Sequence, residues 1–174
     1  PEVILSCAEN GFGELSHRFH QVIRNNVCRG KYKLSKRPVL INNWEATYFD
    51  FNDTKIEEIA KQAAKLGIDM MVLDDGWFGK RDSDISGLGD WFVNEEKLQG
   101  GLGRLVERIN RLGMKFGIWM EPEMVSEDSE LYRNHPEWAI RIPGRNPMRG
   151  RYQLALDMAN PEVIAYLYEV ISNI

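Results

Sequence analysis

Leu73-Asp74-Asp75-Gly76-Trp77 places two adjacent carboxylates at the end of an apolar run and follows them with a glycine suited to a sharp turn. Two anions side by side at the rim of a hydrophobic sheet repel each other and require partners. Ligand hydroxyls suit them, because an ionised carboxylate accepts hydrogen bonds in fixed directions and such bonds are charge-assisted. The same pair also reads as a loop cap or as part of a divalent-metal site. Glu121-Pro122-Glu123 brings two more acids, suited to acid/base work or to structural salt bridges. Together Asp74, Asp75, Glu121 and Glu123 would also fit a Mg²⁺-dependent α/β enzyme, so that reading stays open at this point.

Trp44, in Asn42-Asn43-Trp44-Glu45-Ala46, and Trp119 each follow an apolar segment. An indole there gives the C–H groups of a ligand an apolar floor and leaves its hydroxyls to polar walls, although tryptophan also packs simply as a large core residue. Arg151 offers a guanidinium fork that would neutralise surplus acid or donate to a ligand oxygen; a surface charge is the plain alternative. Asp157 ends a short apolar stretch three residues before Asn160, where an Asp commonly ties down a turn. Gly87-Leu88-Gly89 and Gly100-Gly101-Leu102-Gly103 do not complete a phosphate-binding signature. His17 and His20 have no third metal ligand beside them, and no Ser-His-Asp or Cys-His arrangement is visible.

The elements that must position these groups repeat. Leu66-Gly67-Ile68-Asp69-Met70-Met71-Val72-Leu73-Asp74-Asp75 matches Leu112-Gly113-Met114-Lys115-Phe116-Gly117-Ile118-Trp119-Met120-Glu121 in layout. Each block is a helix ending in Leu, a Gly suited to the C-terminal cap, an apolar strand, and acids at its carboxyl end. Strands are expected at 3–7, at 39–41 as a segment buried on both faces, at 70–73 and at 116–120, with shorter ones at 139–142 and 153–156. Helices are expected at 13–27, at 53–66 with Asn52 or Asp53 as cap, at 102–112, at 130–135, and from Asn160-Pro161-Glu162 onward. Strands alternating with helices imply a parallel sheet with crossovers, and binding groups then gather on the loops at the carboxyl ends of the strands.

Composition sets the outer bounds. At 174 residues, 43% hydrophobic and 28% charged, the chain has globular composition and enough length to bury a core. A net charge of −4 gives no long-range attraction for nucleic acid or anionic lipid, and no apolar run reaches a membrane span, so neither partner is expected. Cys7 and Cys28 fit free thiols of a reducing compartment, and no export signal is visible, which gives a cytoplasmic location as the expectation.

Arg37 to Phe49, Leu73 to Gly79, Gly117 to Val125 and Gly150 to Asp157, in that order, closely resemble the microbial α-galactosidases of glycoside hydrolase family 36. Gly87 to Trp91, His135-Pro136-Glu137-Trp138 and Asn160-Pro161-Glu162-Val163 fit as well, and the resemblance covers essentially the whole chain. It implies a retaining hydrolase that removes terminal α-linked galactose from sugars such as raffinose and melibiose. The implied fold is a partial (β/α)8 TIM barrel: residues 38–174 are roughly its first half, and residues 1–37 are a connector of short strand and helix from an amino-terminal β-sandwich domain. Matched motif by motif, Asp74 and Asp75 would hold galactose hydroxyls, Trp44 and Trp119 would wall the pocket, and Arg151 would donate to the sugar or the carboxylates. No metal or organic cofactor is implied.

The nucleophilic Asp of that family lies in a Lys-Trp-Asp strand motif and its acid/base Asp further on. Both are expected beyond Ile174, and the chain alone is expected to hydrolyse nothing. A non-catalytic carbohydrate-binding fragment is the alternative. The parent is expected to be a homo-oligomer, and this chain to self-associate through an open sheet edge.

Overall fold

The computed structural model describes residues 3–174. It divides into two compact units, Pro1–Pro38 and Val39–Ile174. In the first, α1 (Phe12–Val22) runs on into a π-helical turn, Ile23–Val27, and buries none of its side chains. The expected strand at 3–7 is absent. Its Val3 and Leu5 are exposed, and no described segment offers the hydrogen-bond ladder that would turn extended chain into a strand.

The second unit is built on three parallel strands in chain order: β1 (Leu40–Asn42), β2 (Met70–Leu73) and β3 (Lys115–Ile118). A short helix, α2 (Trp44–Thr47), follows β1, and α3 (Asp53–Lys65) and α4 (Gly101–Arg111) are the two crossovers. Asn52 caps α3 by accepting from the Lys55 N–H at 2.9 Å. The apolar stripe foreseen for that helix is the buried one, through Ile56, Ala60 and Ala63, with Ile59 half-buried. Leu105 and Ile109 of α4 join them against Met71 and Leu73, which alternate along β2 with half-buried Met70 and Val72. Arg108 of α4 reaches back to Asp53 (2.6 Å) and to Glu57, tying the two crossovers together.

β1 departs from expectation. It is not buried on both faces: Leu40 is 53% exposed. Among the described residues it pairs only with β2, so it lies at one edge of the three-stranded sheet with no second neighbour there to cover it.

After β3 the chain leaves the parallel sheet. β4 (Met124–Ser126) pairs antiparallel with β5 (Gln153–Ala155), with α5 (Glu130–Asn134) and a 3-10 turn (Pro136–Trp138) between them. The expected strand at 139–142 is reduced to one bridge, Ala139 to Leu156. α6 (Pro161–Ser172), capped by Asn160 as foreseen, packs Val163 and Leu167 with Val125, Trp138 and Leu154 in a second apolar cluster. No helix among the described residues is long and apolar enough to cross a membrane.

Candidate active site

The pairing register brings the candidate residues to one level. Asn42 pairs with Val72, Val72 with Gly117, and Leu73 with Ile118. Two steps beyond the first pair, Trp44, Asp74 and Trp119 therefore leave the same end of the sheet together. The Trp119 N–H bonds the Leu73 carbonyl at 2.8 Å and so extends the ladder to the rim.

Each Asp has its own partners. Asp74 accepts from the Asn42 amide and from the Asp75 N–H (2.7 Å), while its own N–H donates to Oδ1 of buried Asn43 at 2.8 Å. Asn43 in turn donates to the Thr47 hydroxyl (2.9 Å), so β1 and α2 hold the end of β2. Asp75, 3% exposed, faces Arg81, which is 0% exposed. The Arg81 Nε donates to both Asp75 oxygens at 3.0 and 3.2 Å, and Nη2 donates to Oδ2 at 2.8 Å. A carboxylate has about four lone-pair directions, so each Asp keeps acceptor capacity after its protein partners are counted. The turn between them and Trp77 demands Gly76: its φ is +99°, and a Cβ there would lie 2.9 Å from Phe49 and 3.2 Å from the Arg81 carbonyl.

The aromatic walls are placed differently from each other. Trp44 opens α2 half-buried and meets Phe49 edge-on, with ring centroids 5.0 Å apart. Trp119 is half-buried against the core, and its carbonyl accepts from the indole N–H of fully buried Trp77 at 2.9 Å. Arg151 does not reach either Asp. It is 60% exposed along its side chain and pairs with Asp84 at 2.9 Å. Asp157, read as a turn residue, accepts from the Ala159 N–H at 3.0 Å and serves that role.

Glu121 is the unmatched acid of the rim. Its Oε2 is buried without a hydrogen-bond partner among the described residues, and burial pushes its pKa up against the opposing pull of Arg151. Glu123 stays exposed. Among the described residues no three acid, His or Cys side chains converge as a metal ion requires.

Arg81 and Lys97 are the residues that sequence reasoning missed. Lys97 Nζ, nearly buried, donates to the Phe49 and Gly76 carbonyls at 3.1 Å each and pairs with Asp82 at 2.8 Å, which pins the loop after β2 to the loop before α3. A signal for Arg81 was present: two adjacent acids at an apolar rim require a cation, and Arg81 is only six residues past Asp75. It sits among Lys80, Asp82 and Asp84, however, which together read as a solvated charge run.

The whole chain, residues 1–174, matches the melibiase family. It is 61% identical over 163 residues to the bifunctional alpha-galactosidase/sucrose kinase of Mediterraneibacter gnavus, covering 94% of this chain and 17% of that protein. It is 51% identical over 174 residues to alpha-galactosidase AgaA of Geobacillus stearothermophilus, covering 100% of this chain and 24% of the relative. The crystal structure of the latter, a GH36 alpha-galactosidase, superposes with a TM-score of 0.87 at 54% identity over 91% of this chain and 22% of the other. A variant of it was solved in complex with raffinose. The chain thus spans about a quarter or less of the relatives it matches. With a family match over all 174 residues and relatives 51% and 61% identical across nearly the whole chain, this chain belongs to the melibiase family.

Proposed function

We propose that the chain forms the galactose-recognition part of a retaining α-galactosidase that removes terminal α-linked galactose from oligosaccharides such as raffinose and melibiose. The single observation that carries this reading is the common level of Trp44, Asp74 and Trp119 at the carboxyl ends of three parallel strands, with Asp75 held beside them by a buried guanidinium. Two carboxylates with fixed directions and spare lone pairs suit the hydroxyls of a hexose, and flanking indoles suit its C–H faces. The raffinose complex of the Geobacillus relative supports the substrate class.

The chemistry needs more than this rim. Retaining hydrolysis uses two carboxyl groups roughly 5 Å apart, one attacking the anomeric carbon and one moving the proton. No Lys-Trp-Asp tripeptide occurs among the 174 residues, so neither role is assigned to a residue here. Arg151 belongs to the proposed site through Asp84, at its outer edge, and not as a direct partner of the aspartates.

Galactose titrated calorimetrically into the 174-residue chain is expected to bind at millimolar strength, and Asp75→Ala to abolish that binding. The complete protein is expected to release nitrophenol from nitrophenyl α-galactoside, while the isolated chain is expected to release none. No galactose affinity in either form refutes the proposal, and turnover by the isolated chain refutes its division of labour. A carbohydrate-binding role without hydrolysis is the second reading; an inactive complete protein that still binds galactose would favour it.

The same proposal includes a homo-oligomeric parent and a cytoplasmic location. In this chain by itself β1 and β3 each pair on one side only among the described residues, which favours self-association of the isolated chain through a sheet edge, and Cys7 and Cys28 are free thiols, which favours a reducing compartment. A monomeric mass in solution at all concentrations refutes the first, and recovery of the protein outside the cell refutes the second.

A further inference from the structure

Arg81 connects candidate site residues that otherwise do not touch. Beyond its three bonds to Asp75, its Nη1 donates to the Ser86 carbonyl at 2.9 Å. Its Nη2 stands 3.9 Å from Asp84, which accepts from Arg151. The guanidinium lies 5.7 Å from the Phe49 ring centroid, and Phe49 is the ring that meets Trp44 edge-on. The backbone of Arg81 is itself held: its N–H bonds the Phe78 carbonyl at 3.2 Å, and its carbonyl accepts from Lys97 Nζ at 3.4 Å. Gly87 packs so closely on it that an added Cβ would come 2.9 Å from the Arg81 nitrogen.

A buried ion pair seldom stabilises a protein more than apolar side chains of the same volume, so stability alone is a poor account of a fully buried guanidinium at this rim. Orientation is a better one. The planar fork fixes the angle of the Asp75 carboxylate and thereby the direction of its remaining lone pairs, which a point charge cannot do.

We propose that Arg81 is a positioning residue for sugar recognition: it sets the Asp75 carboxylate at one angle and braces the Trp44 wall through Phe49. This rests on the galactose reading given above. Galactose affinity is measured by calorimetry in the complete protein for the unsubstituted form, Arg81→Lys, Asp75→Asn, the double variant and Phe49→Leu, with each unfolding midpoint recorded. Arg81→Lys keeps the charge but loses the fork, and is expected to weaken galactose binding at least ten-fold while its unfolding midpoint moves little. In the Asp75→Asn background the same substitution is expected to add only about a three-fold loss, because its action through the carboxylate is already removed and the brace through Phe49 alone is left to lose. Phe49→Leu, which leaves the ion pair intact, is expected to weaken binding at least three-fold.

Affinity of Arg81→Lys within two-fold of the unsubstituted protein overturns the positioning role and leaves the galactose reading standing, as does a full, additive ten-fold loss in the double variant. If Arg81→Lys does not fold, Phe49→Leu decides: unchanged affinity overturns the proposal. Failure of the unsubstituted protein to bind galactose brings down the functional reading, and this inference with it.

Discussion

The acids at the end of β2 and those at the end of β3 arise from the same βα layout, yet only the first pair is matched. β2 has a strand on each side, and its rim is served from both the β1 end and its own following loop: Asn42 and Asn43 hold Asp74, and Arg81 holds Asp75. At the β3 rim Glu121 keeps a buried oxygen without a partner among the described residues, and burial raises its pKa. A carboxylate at such a rim is held in one direction when the adjoining elements supply its donors, and is left without a fixed direction when they do not.

The largest test of that contrast is Arg81→Met, which strands the Asp75 charge in the interior. It is expected to destabilise the fold by about 3–5 kcal/mol in denaturant unfolding, the usual cost of breaking one side of a buried pair. Asn43→Ala should cost less, about 1–3 kcal/mol, by leaving the buried Asp74 N–H without its acceptor. At the β3 rim Glu121→Gln is expected to be close to neutral, and a loss as large as that of Arg81→Met would erase the distinction between the two rims.

The smallest effect is a slope with pH. Because the folded-state pKa of Glu121 is raised above 4.5, the folded chain holds that proton more tightly than the unfolded one. The resulting stability is fully present below pH 4.5 and is lost as pH rises through the folded value. Glu121→Gln should therefore match the unsubstituted chain in acid and exceed its unfolding midpoint at neutral pH. Glu57 provides the opposite sign: hydrogen bonds from Arg108, then Lys61, lower its pKa from 4.5, so its contribution is present above that value and is lost as pH falls. Glu57→Gln should cost stability at neutral pH and little in acid. Parallel slopes for the two variants would contradict the assignment.

Much of the scaffold was legible because it is local. The stripe Ile56, Ala60, Ala63 has helical spacing, Asn52 and Asn160 are capping residues in capping positions, and Met70 to Leu73 is a short apolar run between a capping glycine and two acids, the length and flanks of a strand. What misled was partnership. Residues 3–7 have strand composition but no ladder, and 153–155 has strand composition but pairs antiparallel with β4 instead of extending the parallel sheet. The first expectation failed and the second, a short strand, held, but neither segment encodes its partner, since pairing depends on what else arrives alongside. Arg151 shows the same limit: its motif is intact, but the arrangement of the chain delivers it to Asp84 and not to the aspartates.

By itself, then, the sequence determined the alternation of strand and helix, the acids and indoles at strand ends, and the family to which those motifs belong, because periodicity, caps and motif order are properties of neighbouring residues. Only the tertiary structure decided which charges meet. Arg81 reads as one more surface cation in a charged loop until Gly76, Gly87 and Lys97 fold that loop back and close it over Asp75, and the dielectric and geometry that make the pair matter exist only after that closure.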